Sequence, residues 1–412
     1  MSIETTRAFN HLVSPHLEDP YPLFEELRRE VPVVFNPSFG MWFVSRHDDV
    51  AAVVKDPARF SSAQVLAPLQ EPSPALLAIL GKDRSGVYPL LSSDPPVHTR
   101  VRSLVSKAFA GPRLAARMEP FIRAITSELV GGFEEDGQAD LMARLATPLP
   151  IRVTSQLFGI PLSEMDRVKR WCDDETMFLM GLLPEEQRAE LARSIVAYRD
   201  FLRALVEDHR ASPRPDLVTE LIEARAEGEG PLDTQELVGM LCVLIFAAHQ
   251  TTTNMIGNTL VSLLRAPGAW QALRDRPALI PGVLEEGMRF DAPVQGMTRT
   301  VTEDCRIRGV AVPRGARVFV LFGSANRDLP GVNDPERFEF ERAAGPNLAF
   351  GRGPHFCVGA QLARMEGAIA LEELTRRLRG ARLAADARLS YMPNLVHRGP
   401  AALNVAWDVP TS

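Results

Sequence analysis

The 412-residue sequence predicts a mainly α-helical fold with small β-sheets, built as one domain around a long central helix. Three observations carry this expectation. Helical periodicity dominates from Ser93 to about Ile280, with breaks at Pro148 to Pro161, Pro184 and Pro213 to Pro215. Strand-like pieces are short and fall near 33–45, 300–320 and 389–407. One apolar pattern runs for roughly 30 residues, to a break at Pro267. No repeat, low-complexity tract or polar linker divides the chain, so residues 1–412 read as a single domain.

Taken in order, a short helix pattern at Leu23 to Arg28 precedes Val33 to Ser45, a β-branched and aromatic stretch with Pro37 and Gly40 at its middle, which reads as a hairpin. A helix follows from Asp48. Ser61 to Ser93 is rich in Pro and Leu without a sustained period, apart from a turn at Ala75 to Leu80. Unstructured connections of that length are uncommon and usually serve as lids or binding loops. Gly309 to Val320 reads as two short strands around a Pro/Gly turn, and Leu389 to Trp407 contains further strand-like pieces.

The long helix starts at a capping-box-like pair, Asp233 and Glu236, and spans about 45 to 50 Å. Its apolar run from Leu237 to Ala248 is too short for a bilayer and reads as core. The sequence then switches to AAHQTTTN, with Ala247 and Thr251 on one face and small residues leaving room for a ligand or dioxygen. Taken alone, Thr251, Thr252 and Thr253 could simply bond their own helix backbone.

Composition is ordinary for a globular chain: 45% hydrophobic and 24% charged. A net charge of -6 gives no reason to expect nucleic-acid binding. Four dispersed cysteines suit a reducing compartment rather than a disulfide scaffold. The N-terminal segment has no basic region followed by an apolar core, so the expectation is a soluble, cytoplasmic protein without a membrane anchor.

The chemistry concentrates in FGRGPHFCVGAQLARME, Phe350 to Glu366. Gly351, Gly353 and Gly359 permit tight turns close to a flat ligand, and Pro354 removes an amide that would need a partner. A helix from about Val358 points its positive end at the Cys357 sulfur and favours the thiolate. A closed zinc site needs four ligands, whereas this loop offers Cys357 and His355 alone, so a metal held by one protein ligand is expected.

Phe350, Gly353, His355, Cys357 and Gly359 match the signature of the cytochrome P-450 family, which the chain resembles from DPYP near the N-terminus to its last strands. The resemblance implies that family's single-domain fold and a haem b (iron protoporphyrin IX) cofactor with Cys357 as axial ligand and Phe350 near the sulfur. It aligns Ala247, Ala248, Gln250, Thr251 and Thr252 with the oxygen-activation motif. Thr251 would then handle dioxygen and its protons, while Ala248 replaces the usual glycine and Gln250 the usual acid. An amide cannot act as a general acid, so a water chain through Thr251 is expected to carry the protons.

By the same resemblance, Glu286, Arg289 and Arg337 form a structural triad, and His98, Arg102, Arg299 and His355 clamp the haem propionates. Val87, Phe178, Ile245, Thr252, Val294, Gln295, Met297, Leu395 and Val396 fall where the family builds its substrate walls. Their apolar character suggests a terpenoid, steroid, fatty-acyl or polyketide substrate. The implied activity is hydroxylation or epoxidation with dioxygen and electrons from a separate ferredoxin and its reductase, docked on Arg100, Lys107, Arg113, Arg352 and Arg364. A peroxide-driven or non-oxygenating enzyme, and a haem-based sensor without turnover, are the alternatives.

Overall fold

The computed structural model describes residues 9–81, 88–109, 111–181, 183–225, 230–343 and 345–409. About 53% of the described residues are helical. In chain order the first elements are α1 (Tyr21–Glu30), β1 (Val33–Asn36), β2 (Met41–Val44), α2 (His47–Lys55), β3 (Phe60–Ser61) and α3 (Pro74–Leu80). Next come α4 (Val97–Ala108), α5 (Gly111–Gly131), β4 (Gln138–Asp140), α6 (Pro148–Phe158), α7 (Met165–Met180), α8 (Glu185–Ala211), α9 (Leu217–Glu223) and α10 (Thr234–Arg265). The remainder is α11 (Ala269–Asp275), α12 (Ile280–Phe290), β5 (Gly296–Val301), β6 (Cys305–Ile307), β7 (Val310–Val312), β8 (Arg317–Leu321) and α13 (Phe322–Ala325), followed by α14 (Ala360–Arg377), β9 (Arg379–Leu383) and β10 (Asn404–Asp408).

Two compact units divide the chain: Met1–Phe60 with Ala115–Pro150 and Gln250–Ser412, and Ser61–Leu114 with Ile151–His249. In the first, Val33 pairs with Val44 and Asn36 with Met41 in the β1–β2 hairpin. β2 runs parallel to β8, and β8 antiparallel to β5. Branched side chains suit this half-buried sheet, and Val33, Val44, Val318 and Val320 pack with Val50, Val53 and Val54 of α2 in one core cluster. The two strands expected around the turn at 313–316 are present but belong to different sheets, because β7 pairs with β6.

A smaller sheet, β4-β10-β9, completes this unit. The expected strand region 389–407 holds two isolated bridges and the start of β10. β4 and β9 have no strand signature, since QAD and RGARL are short, polar and poor in branched residues. Pairing along β10 supplies what propensity does not.

In the second unit α3 lies on α8, with Leu76, Leu80, Phe178, Ala192 and Ile195 in one apolar cluster. The Gly181 N–H closes α7 by donating to the Met177 carbonyl at 2.8 Å. Ser73 caps α3 by accepting the Leu76 N–H, so the turn expected at Ala75 to Leu80 is a true helix within the long loop. Arg188 of α8 donates to the Gln70 and Glu71 carbonyls and fixes the loop ahead of α3.

α10 begins as its sequence predicts. Glu236 N–H donates to Asp233 Oδ1 at 2.8 Å, and Asp233 N–H donates to Glu236 Oε2 at 3.0 Å, a reciprocal capping box. The helix runs 32 residues to Arg265, just before Pro267. By length and hydropathy it could cross a bilayer, yet Leu241, Ile245, Leu260 and Leu263 are fully buried within the protein.

Candidate active site

Cys357 lies half-buried in the loop that precedes α14. Its N–H donates to the Phe350 carbonyl at 3.0 Å, and Phe356 N–H donates to the Gly353 carbonyl at 3.1 Å. Gly353 has φ +74°, and a Cβ there would stand 2.7 Å from the Val54 carbonyl oxygen of α2. Only glycine allows that approach. Gly351 is also left-handed at φ +69°, and Gly359 occupies the N-cap of α14, which starts at Ala360 rather than Val358.

Polar contacts hold the front of this loop. Leu348 N–H donates to Asn326 Oδ1 at 2.6 Å, and Asn347 donates to Glu285 Oε2 at 3.0 Å. Arg364 pairs with the same Glu285 and lies 4.4 Å from the Phe350 ring centroid. Behind the loop, α14 seats against α10 and α12 at Gly367, where a Cβ would meet Met255 Cε at 2.9 Å and Leu284 Cδ1 at 2.8 Å. The sequence showed no sign of Glu285 or Asn326, because their partners are distant in the chain.

On α10, Ala247 is exposed and Val243, Ala248 and Thr251 are half-buried, although Ile245 and His249 between them are buried. Spacing of four makes Val243, Ala247 and Thr251 one open stripe of small and hydroxylated side chains. His249 points elsewhere: its Nδ1 bonds the Ile245 carbonyl at 2.8 Å, and burial lowers its pKa to about 4. Gln250 donates to Asn254 Oδ1 at 3.4 Å, while Thr252 is buried.

His98 and Arg102 fall one turn apart on α4, the histidine buried and the arginine half-buried. Arg299, in β5, is buried and donates to the Thr298 carbonyl at 2.8 Å, and His355 is half-buried beside Cys357. Glu286 and Arg289 form the expected bidentate pair, at 2.6 and 2.9 Å, with both side chains 3% exposed. The third arginine is a correction. Arg337 is exposed and contributes its backbone carbonyl to Arg289 at 3.0 Å, whereas Arg342 Nε reaches Glu286 Oε1 at 3.1 Å. The chain turns between 337 and 342, so the residue nearest in motif is not the one whose side chain points at Glu286.

Of the expected substrate walls, Phe178 packs on α3 and α8, and Val294 and Met297 rest on the sheet core. Ile245, Leu395 and Val396 are buried. Gln295 is corrected to a structural role, because its amide donates to Ala292 O at 2.8 Å and Tyr21 Oη at 3.2 Å. Val87, Lys82, Arg84 and the Arg113 side chain lie outside the described residues.

Sequence reasoning missed Glu366 as well. It shares a buried face of α14 with Leu362, Ile369 and Ala370, and its Oε2 has no hydrogen-bond partner. Burial pushes its carboxyl pKa well above the ordinary value. A carboxylate at a position of apolar period was the available signal.

Among the described residues no group of three or more His, Cys, Asp or Glu could hold a metal ion. The half-buried free thiol of Cys357 fits an iron whose other ligands come from a porphyrin, with one thiol from the protein. A cysteine loop backed by a helix, with a long helix presenting small and hydroxylated residues, defines the haem-thiolate monooxygenase class.

This chain belongs to the cytochrome P450 family, whose model, described as Cytochrome P450, matches residues 23–381. It is 35% identical over 363 residues to putative cytochrome P450 YjiB of Bacillus subtilis, covering 86% of each chain. It is 36% identical to mycinamicin IV hydroxylase/epoxidase of Micromonospora griseorubida, over 93% of this chain and 94% of the relative. Among solved structures, cytochrome P450 CREJ in complex with (4-ethylphenyl) dihydrogen phosphate superposes with a TM-score of 0.89 at 34% identity, covering 95% and 97% of the two chains. The chain is an oxidoreductase with haem as its cofactor.

Proposed function

We propose that Cys357 would hold the haem iron through its sulfur and that the whole chain forms one catalytic domain hydroxylating or epoxidising a hydrophobic small molecule. The observation that carries this reading is the loop from Phe350 to Gly359, closed by the Cys357 N–H on the Phe350 carbonyl and braced by Glu285, Asn326 and Arg364. When bound, haem held by the Cys357 sulfur would supply the oxidising chemistry with dioxygen. His98, Arg102, Arg299 and His355 would neutralise the propionates, as buried anions require.

Thr251 supplies a hydroxyl on the open stripe of α10 that can accept and donate a proton in turn. Gln250 can hold water but cannot ionise. The substrates in the names of three relatives, 6-deoxyerythronolide B, mycinamicin IV and a steroid, support a small-molecule substrate here. Electrons would come from a ferredoxin and its reductase, with the exposed Arg352 as a contact. Arg100, Lys107 and Arg364 already hold Glu236, the Arg225 carbonyl and Glu285, which weakens their assignment to docking. Burial of α10 in the protein supports a soluble enzyme.

The test is carbon monoxide added to the reduced holoprotein. A red-shifted Soret band of thiolate type is expected, and its loss in Cys357→Ser; a wild-type spectrum of nitrogen-ligated type would overturn the assignment. A peroxide-driven reaction is the second reading, favoured by Gln250, and turnover with peroxide but none with ferredoxin would select it.

A further inference from the structure

The second unit contains a cavity of about 250 Å³ with two kinds of wall. Leu66, Leu80, Phe178, Leu179 and Ile195 form an apolar side, and Tyr88, Ser92, Glu175 and Arg199 form a polar one. The Tyr88 hydroxyl donates to Glu175 Oε1 and accepts from Arg199 at 3.2 Å, while Arg199 stands 3.6 Å from the same Glu175 oxygen. The three close a ring whose charges cancel. Ser92 Oγ, on the same wall, is buried with no hydrogen-bond partner.

A buried ion pair is a poor stabiliser, because apolar residues of similar volume often serve as well or better. Its place on a cavity wall therefore points to recognition. The compensated ring offers no net charge to a ligand. An anion would face Glu175 and a cation would face Arg199, whereas a neutral hydroxyl can donate and accept at once. The cavity is smaller than the roughly 300–1,000 Å³ of whole-ligand pockets, so it holds a compact ligand or one end of a larger one.

We propose that this cavity recognises the neutral hydroxyl of an otherwise apolar substrate, with Tyr88, Ser92, Glu175 and Arg199 reading the alcohol and Leu66, Leu80, Phe178 and Ile195 holding the hydrocarbon. This rests on the monooxygenase reading for the word substrate, but the binding itself does not require turnover. The reaction that supplies such a molecule would be one that leaves an alcohol, such as a carbonyl reduction or an earlier hydroxylation.

Equilibrium dialysis of the holoprotein against 1-adamantanol, and against analogues with methyl, carboxylate or ammonium in place of the hydroxyl, tests it. The alcohol should bind about tenfold more tightly than each analogue. Tyr88→Phe and Ser92→Ala should each weaken the alcohol by about threefold to tenfold and leave the methyl compound unchanged. Ile195→Phe, which fills the cavity, should weaken both. Equal binding of alcohol and methyl compound, tighter binding of either ion, no binding of the alcohol, or indifference to all three substitutions would overturn the proposal. Circular dichroism checks that the variants fold. A carbon monoxide spectrum of thiolate type on the same samples separates failure here from failure of the haem-thiolate reading.

Discussion

Glu366 and Thr251 represent two ways a single side chain departs from its surroundings. Glu366 is fully buried, and desolvation alone raises its pKa well above the ordinary value. The folded protein therefore binds a proton that the unfolded chain releases near pH 4.5. The stability linked to that proton is fully present below about pH 4.5 and is lost as pH rises through the folded pKa. Glu366→Gln keeps the shape and removes the titration, so thermal melts should show a smaller fall in Tm at alkaline pH than wild type; parallel pH profiles would contradict this. Thr251→Ala removes the hydroxyl from the open stripe of α10. Oxygen consumption should then leak to peroxide, read by peroxide assay against product formed, and tight coupling in that variant would count against the proton route.

At the scale of elements, α10 and the cysteine loop follow different rules. The start of α10 is local: Asp233 and Glu236 are three apart and satisfy each other's backbone. Asp233→Ala should cost about 1 kcal/mol in denaturant unfolding, the usual loss for an N-cap. The loop instead depends on α2, which lies near the other end of the chain. Gly353→Ala adds a Cβ at φ +74° and 2.7 Å from a backbone oxygen, so neither rotation nor a side-chain shift relieves it. The expected result is roughly 1–3 kcal/mol lower stability and less haem retained on gel filtration. Legibility follows the same division. Capping boxes and helix periods can be read along the chain, whereas β4 and β9 exist because β10 is available to pair with them.

For the molecule as a whole, Glu286 joins α12 to the chain between 333 and 342. Arg289 holds it in a bidentate pair, and Arg342 adds a third contact while donating to the Asn333 carbonyl at 2.7 Å. Arg342→Ala should lower stability by about 2 kcal/mol, the range for hydrogen bonds to a charged group. Arg337→Ala, which keeps its carbonyl, should stay within about 0.5 kcal/mol. Denaturant titration of the two variants decides between the arginines, and the reverse order would restore Arg337. Glu286→Ala, by stranding a buried Arg289, should cost about 3–5 kcal/mol.

Local order was legible from the residues themselves: the helix-rich class, the capped start and length of α10, the β1–β2 hairpin, and the lone cysteine among glycines. Each depends on groups a few positions apart, whose spacing fixes their geometry. Tertiary structure alone decided which arginine reaches Glu286, that Gln295 turns to Tyr21, that Glu366 is desolvated, and that Tyr88, Glu175 and Arg199 close a neutral ring on a cavity wall. Those outcomes depend on the direction of side chains brought together from distant segments, and sequence spacing carries no information about direction once the chain has turned.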